Sequence, residues 1–173
     1  KKHPTALYIS LFFGLVISGC ISNILKEKIP DFSEEITFVA PTHFKEIKSA
    51  YPSWKNNDTQ NVILIISNCD DNKYMPNYAS MIISDTIENS KVENSKVDNI
   101  NLPKQVAKQI HGSIDGERVE VQTLSFQHKN CVYISALSGK PSSIAKDFEI
   151  WKTFLNSIAL TNYWQRRTLS PIN

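Results

Sequence analysis

Sequence motifs of the common catalytic and metal-binding sites are absent from this 173-residue chain. It has only five glycines and no glycine-rich loop of the kind that binds phosphate. It also lacks His-Glu-x-x-His, Gly-x-Ser-x-Gly and a full calcium-binding loop, which argues against the classes of protein that depend on those motifs. The sequence therefore predicts no catalytic residue, no metal ligand and no cofactor.

Two short polar groups come nearest to a site. Residues 70–72 read Asp-Asp-Asn, like the start of an oxygen-ligand cluster, but the glycine and the distant glutamate of a calcium loop are missing. A solvated turn is the simpler interpretation there. His111, Arg118 and Glu120 flank one predicted hairpin, where they either line a polar cleft or form a cross-strand ion pair. The ion pair is the simpler of these two interpretations.

An apolar run long enough to span a membrane is also absent. Residues 6–18 are apolar apart from one tyrosine and two serines, but a helix needs about 20 residues to cross the hydrocarbon layer. The run follows two lysines and ends at the small residues Ser18 and Gly19, which are the zones of a secretory signal peptide. We therefore expect residues 1–19 to be removed, and not to span a membrane or join a core.

The end of this segment resembles the lipobox of bacterial lipoproteins. Ile17, Ser18 and Gly19 place one aliphatic and two small residues before Cys20. The resemblance implies cleavage between Gly19 and Cys20, a diacylglycerol on the Cys20 thiol, and usually an acyl group such as palmitate on the new amine. Two or more acyl chains hold a protein firmly on a membrane. The alternative is an ordinary secreted protein with an incidental cysteine.

The resemblance also implies a location and partners. Ile21 follows Cys20 in place of an acidic residue, and in a host with two membranes this is similar to the sorting pattern for the outer membrane, with the domain facing the periplasm. The expected partners are the membrane, through the lipid, and another protein of the cell envelope.

The charge balance of the mature chain does not indicate a nucleic-acid partner. Both charged residues of the predicted signal peptide are lysines, so its removal leaves 17 basic and 17 acidic residues. This even balance gives no reason to expect a nucleic-acid partner. The remaining chain is predicted to comprise Cys20 with a tether (residues 20–34), one domain (residues 35–162) and a C-terminal tail (residues 163–173). The tail contains a small basic group, and a frayed, solvated terminus is its simplest interpretation.

The other two cysteines, Cys69 and Cys131, are predicted to form a disulfide. An exported domain lies where disulfides persist, and an even pair in that setting indicates a bridge. Cys69 follows strand-like residues 62–67 and Cys131 begins another strand, so antiparallel neighbours would bring the two together. A redox-active or metal-binding thiol pair is the alternative, but the chain has no Cys-x-x-Cys and no histidine at ligand spacing.

The domain is predicted to have an α+β fold, in which an antiparallel meander packs against a C-terminal amphipathic helix and one or two further helices. Strands are expected over residues 36–40, 62–67, 105–114, 117–126 and from 131, with Asp115-Gly116 as a two-residue turn. Residues 44–54 predict a helical turn and then a loop that buries Trp54. Residues 74–89 suit either a helix or a strand, and a helix is preferred.

Residues 89–99, with the sequence NSKVENSKVDN, form a tandem polar repeat. Such a repeat suits an exposed loop or a charged edge strand better than a binding motif. Its structure is left open between these two.

The closing helix has a clear amphipathic pattern. Ser142 or Ser143 is expected to cap it, and Asp147 and Glu149 suit its N-terminal half. A stripe of large apolar residues is expected to pack on the sheet: Ile144, Phe148, Trp151, Leu155 and Ile158.

The order of these elements resembles the PsbP-like fold over residues 36–160. The matching parts are a strand ending FVAP, a loop with a tryptophan, a middle helix, the hairpin GSIDGERVEV, the strand CVYISAL and the closing helix FEIWKTFLNSI. The resemblance implies a non-catalytic adaptor that docks on a larger assembly. It implies no functional residue, because that fold has no shared site motif.

Three functions remain open, of which the first is preferred. A lipoprotein that docks on an envelope protein predicts an exposed apolar or aromatic patch of a few hundred Å². A carrier or sensor of a small or lipidic ligand predicts a deep apolar pocket between helix and sheet. An enzyme would need ionisable groups that converge in a cleft.

Overall fold

The computed structural model describes residues 35–69 and 84–161. The predicted signal peptide, Cys20 with its tether, residues 70–72 and the C-terminal tail lie outside these ranges. The described elements are β1 (Ile36–Thr37), β2 (Lys45–Glu46), β3 (Ser53–Lys55), β4 (Val62–Asn68), β5 (Glu88–Asn94), β6 (Val106–Ile114), β7 (Glu117–His128), β8 (Cys131–Gly139), α1 (Pro141–Asn156) and β9 (Ala159–Leu160).

Seven of these strands form one antiparallel sheet in the order β2-β3-β4-β8-β7-β6-β5. The helix α1 follows β8 and packs on one face of the sheet, which confirms the predicted α+β fold. The small pair β1 and β9 brings the two ends of the described chain together beside this layer.

The core lies between α1 and the sheet. Trp151, Phe154 and Leu155 of α1 are almost completely buried there, and the indole Nε1 of Trp151 donates to Ser135 Oγ at 2.9 Å. This bond pairs the one polar atom of a large buried ring. Trp54 lies 5.5 Å from Phe154, measured between ring centroids, so the prediction that Trp54 is buried is confirmed.

The central meander follows directly from turn chemistry. Asp115 and Gly116 both have positive φ, at 51° and 79°, which is the backbone that a tight two-residue hairpin requires. The turn places Ile114 opposite Glu117 and thereby sets the register of β6 against β7. The sequence predicted this two-residue turn.

The secondary structure predicted for residues 36–54 differs from the observed one in two respects. The first strand is only two residues long, and it pairs with β9, which comes after the helix. Residues 44–54 form no helical turn; instead β2 and β3 extend the sheet beyond β4. Pro52 disfavours a helix there, and the free edge of β4 offers hydrogen bonds that a short isolated helix would not gain.

Three details of the later elements also differ from the sequence prediction. The N-cap of α1 is Lys140, which makes no side-chain cap bond, so neither Ser142 nor Ser143 is the cap. Ile158 is buried, but it lies beyond the last residue of α1. The helix predicted over residues 74–89 lies mainly outside the described residues, and its last two residues belong to β5.

The tandem repeat divides between the two predicted structures: residues 89–94 belong to an edge strand, and residues 95–99 form a loop. Its first copy lies in β5, which is the outermost strand of the sheet within the described chain, and all seven β5 residues are exposed.

Candidate functional site

An open groove runs between the N-terminal half of α1 and the strand β7. Its volume is about 380 Å³. The β7 side is polar and the α1 side is largely apolar, and the lining residues are Glu120, Gln122, Pro141, Ile144, Ala145, Phe148 and Glu149. The groove lies where the N-terminal half of α1 passes the polar residues Glu120 and Gln122 of β7.

A hydrogen-bonded network centred on Glu120 forms the β7 wall. Gln109 Nε2 and Gln122 Nε2 donate to Glu120 Oε1 at 2.9 and 2.8 Å. His111 is the cross-strand partner of Glu120, with 3.8 Å between its Nδ1 and Glu120 Oε2. The Glu120 side chain is only 12% exposed. The network therefore holds a carboxylate in a fixed position at the edge of the groove.

The structure brings together two of the three polar residues singled out on this hairpin. His111 and Glu120 face each other across the strands, which supports the cross-strand interpretation. Arg118 lies two residues from Glu120 along β7, opposite Ser113, and within the described residues its side chain forms no bond to Glu120.

The α1 wall combines an aromatic ring with a second carboxylate. Phe148 is half-buried and lies 5.7 Å from Trp151, measured between ring centroids. Glu149 is exposed and forms an ion pair with Lys152 at 3.1 Å. The groove is thus lined by two carboxylates and an aromatic ring, a combination that suits a cationic group.

The described residues contain no group of three histidine, cysteine, aspartate or glutamate side chains placed to hold a metal ion. An exposed ion pair on β5 shifts the pKa values of both of its members. Lys91 Nζ lies 2.6 Å from Glu93 Oε1. The hydrogen bond and charge of Lys91 lower the pKa of Glu93, with a smaller contribution from His111, while Glu93 raises the pKa of Lys91.

A buried polar cluster beside the first half of α1 was missed by the sequence analysis. Asp147 is 2% exposed, and its carboxylate accepts hydrogen bonds from Asn56 Nδ2 at 3.1 Å, from Asn61 Nδ2 at 2.7 Å and from the Thr59 hydroxyl. These donors satisfy the carboxylate without a cation, so the cluster joins the β3–β4 turn to α1. A signal was present, because Asp147 lies within the apolar stripe, three residues after Ile144.

The predicted disulfide is present. Cys69 directly follows β4, Cys131 begins β8, and the two Cα atoms are 4.0 Å apart. The bridge closes the end of the β4–β8 ladder, where Asn68 pairs with Val132.

The described residues do not form the predicted apolar patch. Their exposed large hydrophobic residues are Val39, beside Ser157 at the end of α1, and Val92 on β5. A deep apolar pocket between helix and sheet is not found in this part of the chain either, because Trp151, Phe154 and Leu155 fill that layer. The groove beside Phe148 is shallow and partly polar.

No helix within residues 35–69 and 84–161 is both long enough and apolar enough to cross a membrane.

The fold and groove define an α+β domain with an antiparallel sheet, one packed helix and an open polar groove. No family model matches the chain, and no curated protein is similar in sequence. Among solved structures, a variant of the protein Mog1 has a TM-score of 0.50 at 7% identity, covering 76% of this chain and 93% of that one. This likeness concerns the fold alone.

Two further solved structures also match. LpqN of Mycobacterium tuberculosis, described as involved in cell envelope biogenesis, has a TM-score of 0.47 at 12% identity, covering 73% of this chain and 83% of that one. A cyanobacterial PsbP from Synechocystis has a TM-score of 0.43 at 11% identity, covering 73% of this chain and 87% of that one.

Proposed function

We propose that this chain is a bacterial lipoprotein with a non-catalytic role in the cell envelope. Lipid on Cys20 would hold its α+β domain at a membrane surface, where it docks on another envelope protein. In a host with two membranes, the location that Ile21 favours is the outer membrane, with the domain in the periplasm.

The distribution of the three cysteines carries this proposal. Cys69 and Cys131 are joined to each other, so the bridge uses both cysteines of the domain. The third, Cys20, stands at the lipobox position after Ile17-Ser18-Gly19. A structural disulfide suits an oxidising compartment outside the cytoplasm. Cys20 does not take part in the bridge, so its thiol is left for acylation.

The groove is the surface we propose for docking. The carboxylates of Glu120 and Glu149 and the ring of Phe148 suit a basic side chain of the partner, and Gln122 adds a polar amide beside it. The alternative, a carrier of a small or lipidic ligand, has less support, since the helix–sheet layer is filled in the described residues.

Substitution of the lipobox cysteine tests the anchor. Cys20→Ala is expected to move the protein from the membrane to the soluble fraction or to leave its signal peptide uncleaved. Cys69→Ser with Cys131→Ser is the matched control, because it removes two cysteines and should leave the protein at the membrane. A C20A protein that loses its signal peptide normally and still stays at the membrane would contradict the anchor.

A site-specific photo-crosslinker tests the groove. Placed at Ala145, which lines the groove, it should capture one envelope protein; at Asn156, exposed near the end of the same helix, it should not. The Glu149→Lys charge reversal should abolish capture from Ala145. Equal capture from both positions, or capture that E149K leaves unchanged, would contradict docking in the groove.

A further inference from the structure

The tandem repeat has two copies in different environments. The five residues Asn-Ser-Lys-Val-acid occur at 89–93 and again at 94–98. Val97 of the second copy is buried in the main core. Val92 of the first copy lies on β5 and is 40% exposed, which makes it unusual among the large hydrophobic residues of the described chain. The valine of the first copy, unlike that of the second, is therefore not buried within its own domain.

Strand β5 is the last strand of the sheet within the described residues. It pairs with β6 on one side, and no described strand pairs with its other side. The backbone groups along such an edge are able to pair with another chain.

The sequence around Val92 is self-complementary in antiparallel pairing. A two-fold axis at Val92 places Lys91 of each copy opposite Glu93 of the other, and the two Val92 side chains opposite each other. Opposite charges in directly facing positions stabilise an antiparallel pair. We propose that β5 pairs antiparallel with β5 of a second copy of this chain, around an axis at Val92.

The two faces of the joined sheet also match. Register places Lys91 in the same cross-strand row as His111 and Glu120, so the new ion pairs would extend a row that is already polar. Val92 lies in the row of Ile110 and Val121, which are both buried, so a second valine would extend an apolar row.

The geometry closes at a dimer. The register of β5 against β6 shifts between Glu88 and Lys91, and Asn89 has a φ of 52°, so the regular part of β5 runs from Lys91 to Asn94. The contact uses the same edge on both copies and is therefore closed by its own symmetry. This inference concerns the sheet edge and does not depend on the lipid anchor, although attachment to one membrane would raise the local concentration of both copies.

Disulfide trapping in the full-length chain tests the pairing. Val92→Cys in intact cells, treated with a mild oxidant, should give a covalent dimer on non-reducing gels. Val39→Cys is the matched control, because Val39 is also exposed but lies away from β5. The parent chain is oxidised in parallel. A dimer in the parent would reveal a free Cys20 thiol and contradict the lipid anchor, whereas the additional dimer of V92C reports on β5.

Charge reversal tests the register. In the V92C background, K91E and E93K each place like charges opposite each other, and each should reduce the trapped dimer about tenfold. Mixing the two variants should restore it, because one chain then presents two carboxylates and the other two ammonium groups. If the substitutions acted only within their own chain, mixing the two variants would not restore the dimer.

Three results would overturn the proposal: no dimer with V92C, dimers that form equally in V39C and in the single charge variants, or a V92C crosslink to a different protein. The last result would show that another chain occupies the edge.

Discussion

Asn61 links the β3–β4 turn to α1 through a fully satisfied side chain. Its Nδ2 donates to Asp147 Oδ2 at 2.7 Å and to the Ser143 carbonyl at 2.9 Å, and its Oδ1 accepts from Ser143 Oγ at 2.5 Å. A turn that is remote in sequence thereby positions the N-terminal half of the helix. Because that half forms one wall of the groove, the buried cluster supports the proposed docking surface from behind.

Removal of the buried carboxylate should destabilise the fold. Asp147→Ala leaves the amides of Asn56 and Asn61 buried without their acceptor, so we expect the free energy of unfolding to fall by about 2–4 kcal/mol. Urea denaturation of the oxidised protein measures this change. Glu149→Ala, an exposed position of the same helix, should change it by less than about 0.5 kcal/mol. Equal effects of the two substitutions would contradict the structural role of Asp147.

A methyl group at Gly139 should disturb the same contact from the sheet side. A Cβ built at Gly139 would overlap the Asn61 side chain, so Gly139→Ala is expected to lower stability by about 1–3 kcal/mol and to lower Tm. Gly116→Asn is the control, because the turn position has open space and asparagine tolerates positive φ. A G139A protein with the parent Tm would show that Asn61 moves freely.

Loss of the disulfide should also lower stability. The bridge joins residues 62 positions apart, and the double substitution Cys69→Ser with Cys131→Ser is expected to reduce the free energy of unfolding by about 2–4 kcal/mol. Denaturation with and without a reductant measures the effect, because the reductant should weaken the parent and leave the double variant unchanged. Two reactive thiols in the unreduced native parent would contradict the bridge.

The exposed ion pair on β5 predicts a pH effect of known sign. Lys91 lowers the pKa of Glu93, so the pair favours the folded state above the ordinary pKa of a glutamate, and that contribution is lost as the pH falls through the lowered value. Lys91→Met should raise the pKa of Glu93 toward its ordinary value, and His111→Ala should raise it less. An NMR titration of the Glu93 carboxyl measures both. An unchanged pKa in K91M would contradict the pairing.

The elements with strong local signals could be predicted from the sequence. The turn at Asp115 and Gly116, the apolar strand β4 and the stripe of α1 each carry their own pattern within a few residues. The turn and β4 are confirmed, and so is the stripe as far as Leu155. The disulfide followed from the same strands, because Cys69 and Cys131 lie at their ends.

The missed features depend on residues far apart in the chain. Strands β2 and β3 are two and three residues long and owe their structure to the free edge of β4, which residues 44–54 do not encode locally. Asp147 was interpreted as a favourable charge near a helix N-terminus, and its partners Asn56 and Asn61 lie 91 and 86 residues away. The groove could not be predicted either, since its shape depends on how far α1 extends across the sheet.

The intact mass of the protein tests most directly whether Cys20 is acylated and whether Cys69 and Cys131 are bridged. For this measurement the protein is extracted from its native membrane and alkylated without reduction. We predict the mass of residues 20–173 plus two or three acyl chains, less the two hydrogens of the disulfide, with no alkyl group added. A mass without lipid would contradict the anchor, and alkyl groups on Cys69 and Cys131 would contradict the bridge.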